Sequence, residues 1–129
     1  VLGSSVYDLD IDIYSPCALG ATLNDETIPL LKCEIVAGAA NNQLEEELKH
    51  GQALKDLNIV YAPDFLINAG GLINVYSELS VYNRERALEQ TRKIYDTTLQ
   101  ILIKAESENI TTHDAALQLA KERIASSRN

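Results

Sequence analysis

Residues 59–71 read IVYAPDFLINAGG. Ile59 to Pro63 is a short apolar run with β-branched residues that continues into FLIN, and a glycine pair follows it. A run of this length and composition predicts a strand. Two similar runs lie upstream, IDIY from Ile11 to Tyr14 and CEIVA from Cys33 to Ala37. Between them stands TLNDETIPLL, where Asn24 can cap a short acidic-start helix that Pro29 keeps from being regular. Between the second and third runs, QLEEELKHGQALKDLN places Leu44, Leu48, Leu54 and Leu57 roughly on one helical face, with acids early and lysine late. Strand, helix, strand, helix, strand predicts an α/β fold, with about three parallel strands and helices packed against them.

The second half carries no strand signal. From Asn83 to about Ser107, Leu88, Tyr95, Leu99, Leu102 and Ile103, with Ala87 and Ile94, recur at helical spacing. NRERALEQTRK mixes both charges on the opposite face, so a long amphipathic helix is predicted. SENITTHD breaks it, and Thr111 or Thr112 can cap a last helix with Ala116, Leu119, Ala120 and Ile124 on its buried side.

The chain has 129 residues, 46% of them hydrophobic, a size at which one domain buries its own core. A net charge of -8 with interspersed Lys and Arg leaves no basic patch, which argues against a nucleic-acid partner. No apolar run approaches the roughly 20 residues that cross a bilayer, and VLGSSVYDLD lacks the layout of a signal peptide. No membrane association and a cytoplasmic location are therefore expected. Cys17 and Cys33 stand far apart without a CxxC spacing or a nearby histidine, so both read as reduced, buried thiols and no metal site is expected. The chain starts at Val and holds no Met, which suggests truncation from a longer polypeptide.

In an open parallel sheet the ligand crevice lies beyond the carboxyl ends of the strands. The segments there are SPCALGAT (Ser15 to Thr22), GAANNQ (Gly38 to Gln43) and NAGG (Asn68 to Gly71). Glycine and alanine let a ligand approach the backbone, and the asparagines donate and accept at fixed places. Three such loops on one edge suit a flat polar ligand. The same residues also suit tight turns. No nucleophile, base and acid can be assembled from them: His50 reads as mid-helix surface, and His113 as surface in the first turn of the last helix. A GxGxxG fingerprint is absent.

DIYSPCALGATLND, VAGAANNQL, YAPDFLINAGGLINVYSEL and YNRERAL, in this order, resemble the glutamate, leucine, phenylalanine and valine dehydrogenase family, on its leucine dehydrogenase branch. The resemblance covers essentially the whole chain. It implies that residues 1–75 are the second half of a Rossmann domain that binds NAD, and residues 76–129 a C-terminal helical segment. It also implies that the glycine fingerprint, the acidic ribose ligand that would separate NAD from NADP, and the domain with the catalytic lysines and aspartate lie elsewhere in a full-length homo-oligomeric enzyme. No catalytic residue is then expected here, and none of Lys32, Lys49, Lys55, Lys93, Lys104 or Lys121 takes that role. By position, Pro16, Cys17 and Ala18 would lie beside the dinucleotide. Ala40, Asn41 and Asn42 would reach the nicotinamide ribose and the reacting centre. Asn68 would close a strand at the ligand edge and contact substrate or nicotinamide, and Leu72 and Val75 would line the substrate side-chain pocket. An apolar pair there favours an aliphatic side chain, because a second carboxylate buried without a partner costs several kcal/mol. Asn74 would turn away from that pocket. The resemblance implies NAD-dependent oxidative deamination of a branched-chain L-amino acid to a 2-oxo acid and ammonia. Open alternatives are a valine or phenylalanine specificity, or a non-catalytic domain of the same fold kept for oligomerisation or partner binding, with an unpaired strand edge that self-associates.

Overall fold

The computed structural model describes residues 6–79 and 82–127. Three short parallel strands, β1 (Ile13–Tyr14), β2 (Ile35–Val36) and β3 (Val60–Tyr61), pair in chain order. Their register aligns Ile13, Ile35 and Val60 in one row and Tyr14, Val36 and Tyr61 in the next. Because strand side chains alternate between faces, the second row points into the core. There it meets Leu23, Ile28, Cys33, Leu44, Leu54 and Ile59.

The two crossovers differ. After β1 the chain makes only a 3-10 turn, Ile28–Leu30. Asn24 Oδ1 accepts the N–H groups of Glu26 (3.0 Å) and Thr27 (3.1 Å), so it caps a turn that Pro29 does not let grow into a helix. After β2 comes α1 (Glu47–Asp56), and it is turned relative to the leucine face read from sequence. Its buried residues are His50, Gly51 and Leu54, whereas Leu48 is 71% and Leu57 49% exposed. Leu44 is buried, but in the loop before the helix. Four residues before Leu54 stands His50, and Leu48 lies well around the helix from both.

His50 is therefore a core residue at 1% exposure, not the surface residue that its hydrophilicity suggests. Its Nδ1 accepts the Glu46 N–H (2.9 Å), which assigns the proton to Nε2, 3.2 Å from Asp25 Oδ1. His113 is also buried, at 4%. Its ring meets Phe65 edge-on at 5.7 Å, and its Nε2 lies 3.3 Å from Glu47 Oε2 without hydrogen-bond geometry. One cysteine departs from expectation as well: Cys33 is buried, but Cys17 is exposed.

Where a continued strand was expected, FLIN begins a helix. Asp64–Ile67 forms α2, and α3 (Gly70–Ser77) follows almost at once. The long helix α4 (Arg84–Glu108) starts on an Asn83 cap that accepts the Arg86 N–H at 3.0 Å. It ends at Asn109 in the left-handed region (φ 54), where Lys55 Nζ reaches the Asn109 carbonyl at 2.6 Å. Thr111 caps α5 (Thr112–Ser126) by accepting the Asp114 N–H at 3.0 Å.

On α4 the buried residues are Ala87, Ile101 and Ala105, the last two packed with Ala115 and Ala116 of α5. Leu88, Tyr95, Leu99 and Ile103 are 40–73% exposed, and on α5 Ala120 and Ile124 are exposed too. The large apolar residues recur at helical spacing as read, but α5 packs on a neighbouring face of α4, against Ile101 and Ala105. Among the described residues, no helix is long and apolar enough to cross a membrane.

Candidate functional site

The loops after β1 and β2 meet through backbone bonds. Ala40 N–H donates to the Pro16 carbonyl (2.9 Å), and Ala21 N–H to the Asn42 carbonyl (2.7 Å). Gly38 permits this approach, since a Cβ there would sit 2.1 Å from the Pro16 carbonyl oxygen. Ala21 (φ 55) and Asn42 (φ 51) both adopt the left-handed region to complete the turn. Cys17 lies at the surface of this junction, its Sγ 3.4 Å from Ser15 Oγ and accepting the Ala39 N–H at 3.5 Å. The Ser15 hydroxyl, then that N–H, hold the thiol below its ordinary range.

Beside the second loop lies an open hollow of about 600 Å³. Asn41, Asn68, Leu72 and Val75 converge on it, joined by Ala39, Phe65, Ala69 and Gly71. Four of the residues singled out in sequence are thus brought together. The others are not on its wall: Pro16 and Ala40 are buried in the loop junction, Cys17 and Ala18 are exposed on the first loop, and Asn42 borders a separate hollow with Glu45 to Lys49. Asn68 does not end a strand; it is the C-cap of α2. Asn74 faces elsewhere, its Oδ1 accepting the Tyr82 hydroxyl at 3.1 Å.

The geometry of the two amides fixes what they offer. Asn68 Nδ2 donates to Asn41 Oδ1 at 2.6 Å and points at the Ala39 carbonyl at 3.5 Å. A carbonyl only accepts, so the Asn68 atom facing both is nitrogen, and the Asn41 atom facing it is oxygen. Among the described residues, Asn41 Nδ2 and Asn68 Oδ1 then have no protein partner, which leaves one donor group and one acceptor at the hollow's rim. A Cβ added at Gly71 would meet nothing within 4 Å, so the floor on that side is open. Leu72 (72% exposed), Val75 (59%) and Phe65 (46%) form an apolar wall. This set suits a ligand with a hydrogen-bonding head and an apolar tail. Among the described residues, no ionisable side chain lines the hollow, so they offer it no group to move protons at neutral pH.

Two buried polar residues behind the loop escaped the sequence reading. Gln43, fully buried, donates through Nε2 to the carbonyls of Gly38 (2.7 Å) and Ala40 (2.9 Å). Asp64, 7% exposed, accepts the Gln43 N–H on Oδ2 (3.0 Å) and the Phe65 N–H on Oδ1 (2.8 Å). Burial, then the charge of Asp64, push the nearby Tyr61 hydroxyl up, so it stays neutral beside the carboxylate. The signal in sequence was slight: Gln43 closes the GAANNQ loop, and Asp64 is a single acid inside a run that reads as a continued strand.

A family model described as Glutamate/Leucine/Phenylalanine/Valine dehydrogenase matches residues 2–129. The chain belongs to this family. It is 54% identical to leucine dehydrogenase of Bacillus cereus over 126 residues, covering 98% of this chain and 34% of the relative. It is also 54% identical to L-tryptophan dehydrogenase of Nostoc punctiforme over 125 residues, covering 97% and 35%. The crystal structure of the Nostoc enzyme superposes with a TM-score of 0.92 at 53% identity, over 95% of this chain and 37% of that one. The α/β fold is therefore that of an amino-acid dehydrogenase, and the chain spans about a third of the length of its relatives.

Proposed function

We propose that this chain is the C-terminal part of the nucleotide-binding domain of an NAD-dependent dehydrogenase that converts branched-chain L-amino acids, leucine above all, to 2-oxo acids and ammonia. The observation that carries this reading is the convergence of Asn41, Asn68, Leu72 and Val75 on one hollow. Its rim supplies amide donors and an acceptor for a polar head, and its wall suits an aliphatic side chain.

The net reaction is amino acid, NAD+ and water to 2-oxo acid, ammonium, NADH and a proton. NAD, when bound, supplies the acceptor for the hydride that leaves the substrate's alpha carbon; water then hydrolyses the imine left on the substrate. Asn41 and Asn68 orient the polar groups next to the reacting carbon. Leu72, Val75 and Phe65 hold the side chain and keep water from it. The proton-transfer groups come from the rest of the full-length enzyme, because the described residues around this hollow offer none. Its assembly into a homo-oligomer belongs to the same reading; a related fold, at 21% identity, is that of a hetero-hexameric glutamate dehydrogenase from Thermus thermophilus.

A second reading has an observation in its favour. The exposed ring of Phe65 lies on the wall of the hollow, and an aromatic side chain stacks edge-on with such a ring for about 0.5–1.5 kcal/mol. The equal identity to a tryptophan dehydrogenase points the same way. Purified full-length enzyme, incubated with NAD and each L-amino acid in turn, separates the two by NADH formation. Leucine giving the highest kcat/KM supports the first reading, tryptophan or phenylalanine the second, and no NADH with any amino acid refutes both. The 129-residue chain on its own is expected to give none; leucine-dependent NADH from it would show that the missing proton-transfer groups are not needed.

A further inference from the structure

We propose that Gln43 and Asp64 are positioning residues that set the Asn41–Asn68 amide pair, and through it the donor and acceptor presented to substrate and nicotinamide. The inference rests on the function proposed above.

The four residues form a closed ring. One residue, Asn42, separates Asn41 from Gln43, whose N–H is bonded to Asp64 Oδ2 at 3.0 Å. Asp64 opens α2 and Asn68 caps its end; the Asn68 N–H donates to the Asp64 carbonyl at 3.0 Å, so one helical turn holds their separation. Asn68 Nδ2 then returns to Asn41 Oδ1 at 2.6 Å. Inside the ring, Gln43 Nε2 spends both protons on carbonyls that flank Ala39, so the loop carrying Asn41 is braced from within. The loop cannot swing without breaking one of these bonds.

The ring is also costlier than simple packing requires. Among the described residues, Gln43 Oε1 is buried without a hydrogen-bond partner, and such an atom costs stability that an apolar side chain of similar volume would not. An amide held there despite that cost fixes geometry rather than filling space.

The test uses the full-length enzyme with Asp64→Asn, which keeps the side chain's size but leaves one oxygen for two N–H donors. Hydrogen exchange in residues 38–43 should quicken while α4 and α5 exchange as before. With leucine and NAD, kcat should fall by about tenfold to a hundredfold, the scale for a misplaced positioning group. NAD affinity, read by fluorescence titration, should hold, and the primary isotope effect with α-deuterated leucine should rise because hydride transfer has slowed. A fall in kcat with an unchanged isotope effect means fewer active molecules with intact chemistry, and overturns the proposal. Unchanged exchange in residues 38–43 overturns it too. If Asp64→Asn does not fold, Gln43→Met, which keeps the backbone bond to Asp64, carries the same expectations. If the wild-type enzyme makes no NADH from any amino acid, the functional reading fails while the exchange measurement still decides whether the ring braces the loop.

Discussion

The two faces of the sheet are built from similar residues and end in opposite surroundings. Tyr14, Val36 and Tyr61 are buried at 9%, 0% and 3%, under α1 and the loops that join it. One residue away on each strand, Ile13 and Val60 are 55% and 42% exposed, with Ile35 half-buried between them. Parallel sheets carry apolar residues on both faces because helices cover both. The composition of the open face is thus that of a covered one. Within the described residues Ile13 and Val60 nonetheless stay exposed, and the chain spans about a third of its relatives.

The largest contrast between the faces should appear on the covered side. Leu54, fully buried on α1, packs against the Tyr14, Val36 and Tyr61 row. Leu54→Ala should lower the unfolding free energy by about 2–5 kcal/mol, the range for a leucine truncated in a core that cannot fully collapse. Chemical denaturation at neutral pH measures this. A loss under 1 kcal/mol, on the order of a surface change, would mean that the layer is loosely packed and the contrast between the faces weaker than the burial implies.

Much of this was legible in the sequence, and the rest failed for definable reasons. The β-branched runs located all three strands, and the order of the quoted blocks identified the family. Asn41, Asn68, Leu72 and Val75 are carried over by position from the family resemblance, and they meet at one hollow. The burial of His50 and His113 could not be read, because it depends on which way α1 turns and on where α5 comes to rest. The same holds for α4: of its buried residues periodicity picked out Ala87, while Ile101 and Ala105 owe their burial to the contact with α5. Gln43 and Asp64 are polar groups whose partners lie 21 residues apart, a pairing that no local pattern encodes.

A smaller effect tests how the covered layer is tied down. Asp25, in the crossover before β2, bonds Lys49 Nζ at 2.5 Å and faces His50 Nε2 at 3.2 Å, so it fastens that loop to α1. Lys49 first, then His50, hold its carboxyl below the ordinary range. A carboxyl with a depressed folded pKa stabilises the fold fully above its unfolded pKa, and that contribution fades as the pH falls through the folded one. Melting temperature measured from neutral to acid pH should therefore fall less steeply for Asp25→Asn than for the wild type. Parallel curves would mean that the tie adds nothing, as many exposed ion pairs do.

The smallest effect, and the one that sharpens the comparison most, is on the open face. Val60→Ala in the 129-residue chain removes methyl groups that are already half in water, and should cost no more than about 0.5 kcal/mol. In the full-length enzyme the same substitution should cost clearly more, because a face written for burial would there be covered and each lost methyl worth about 0.8 kcal/mol. The informative quantity is the difference between the two proteins rather than either value alone. An equal, small cost in both would leave Ile13, Ile35 and Val60 as an apolar surface facing solvent even in the complete enzyme, and the second layer would have to be sought elsewhere. A larger cost in the full-length protein would show that the two faces differ only because the polypeptide that covers one of them is not part of this chain.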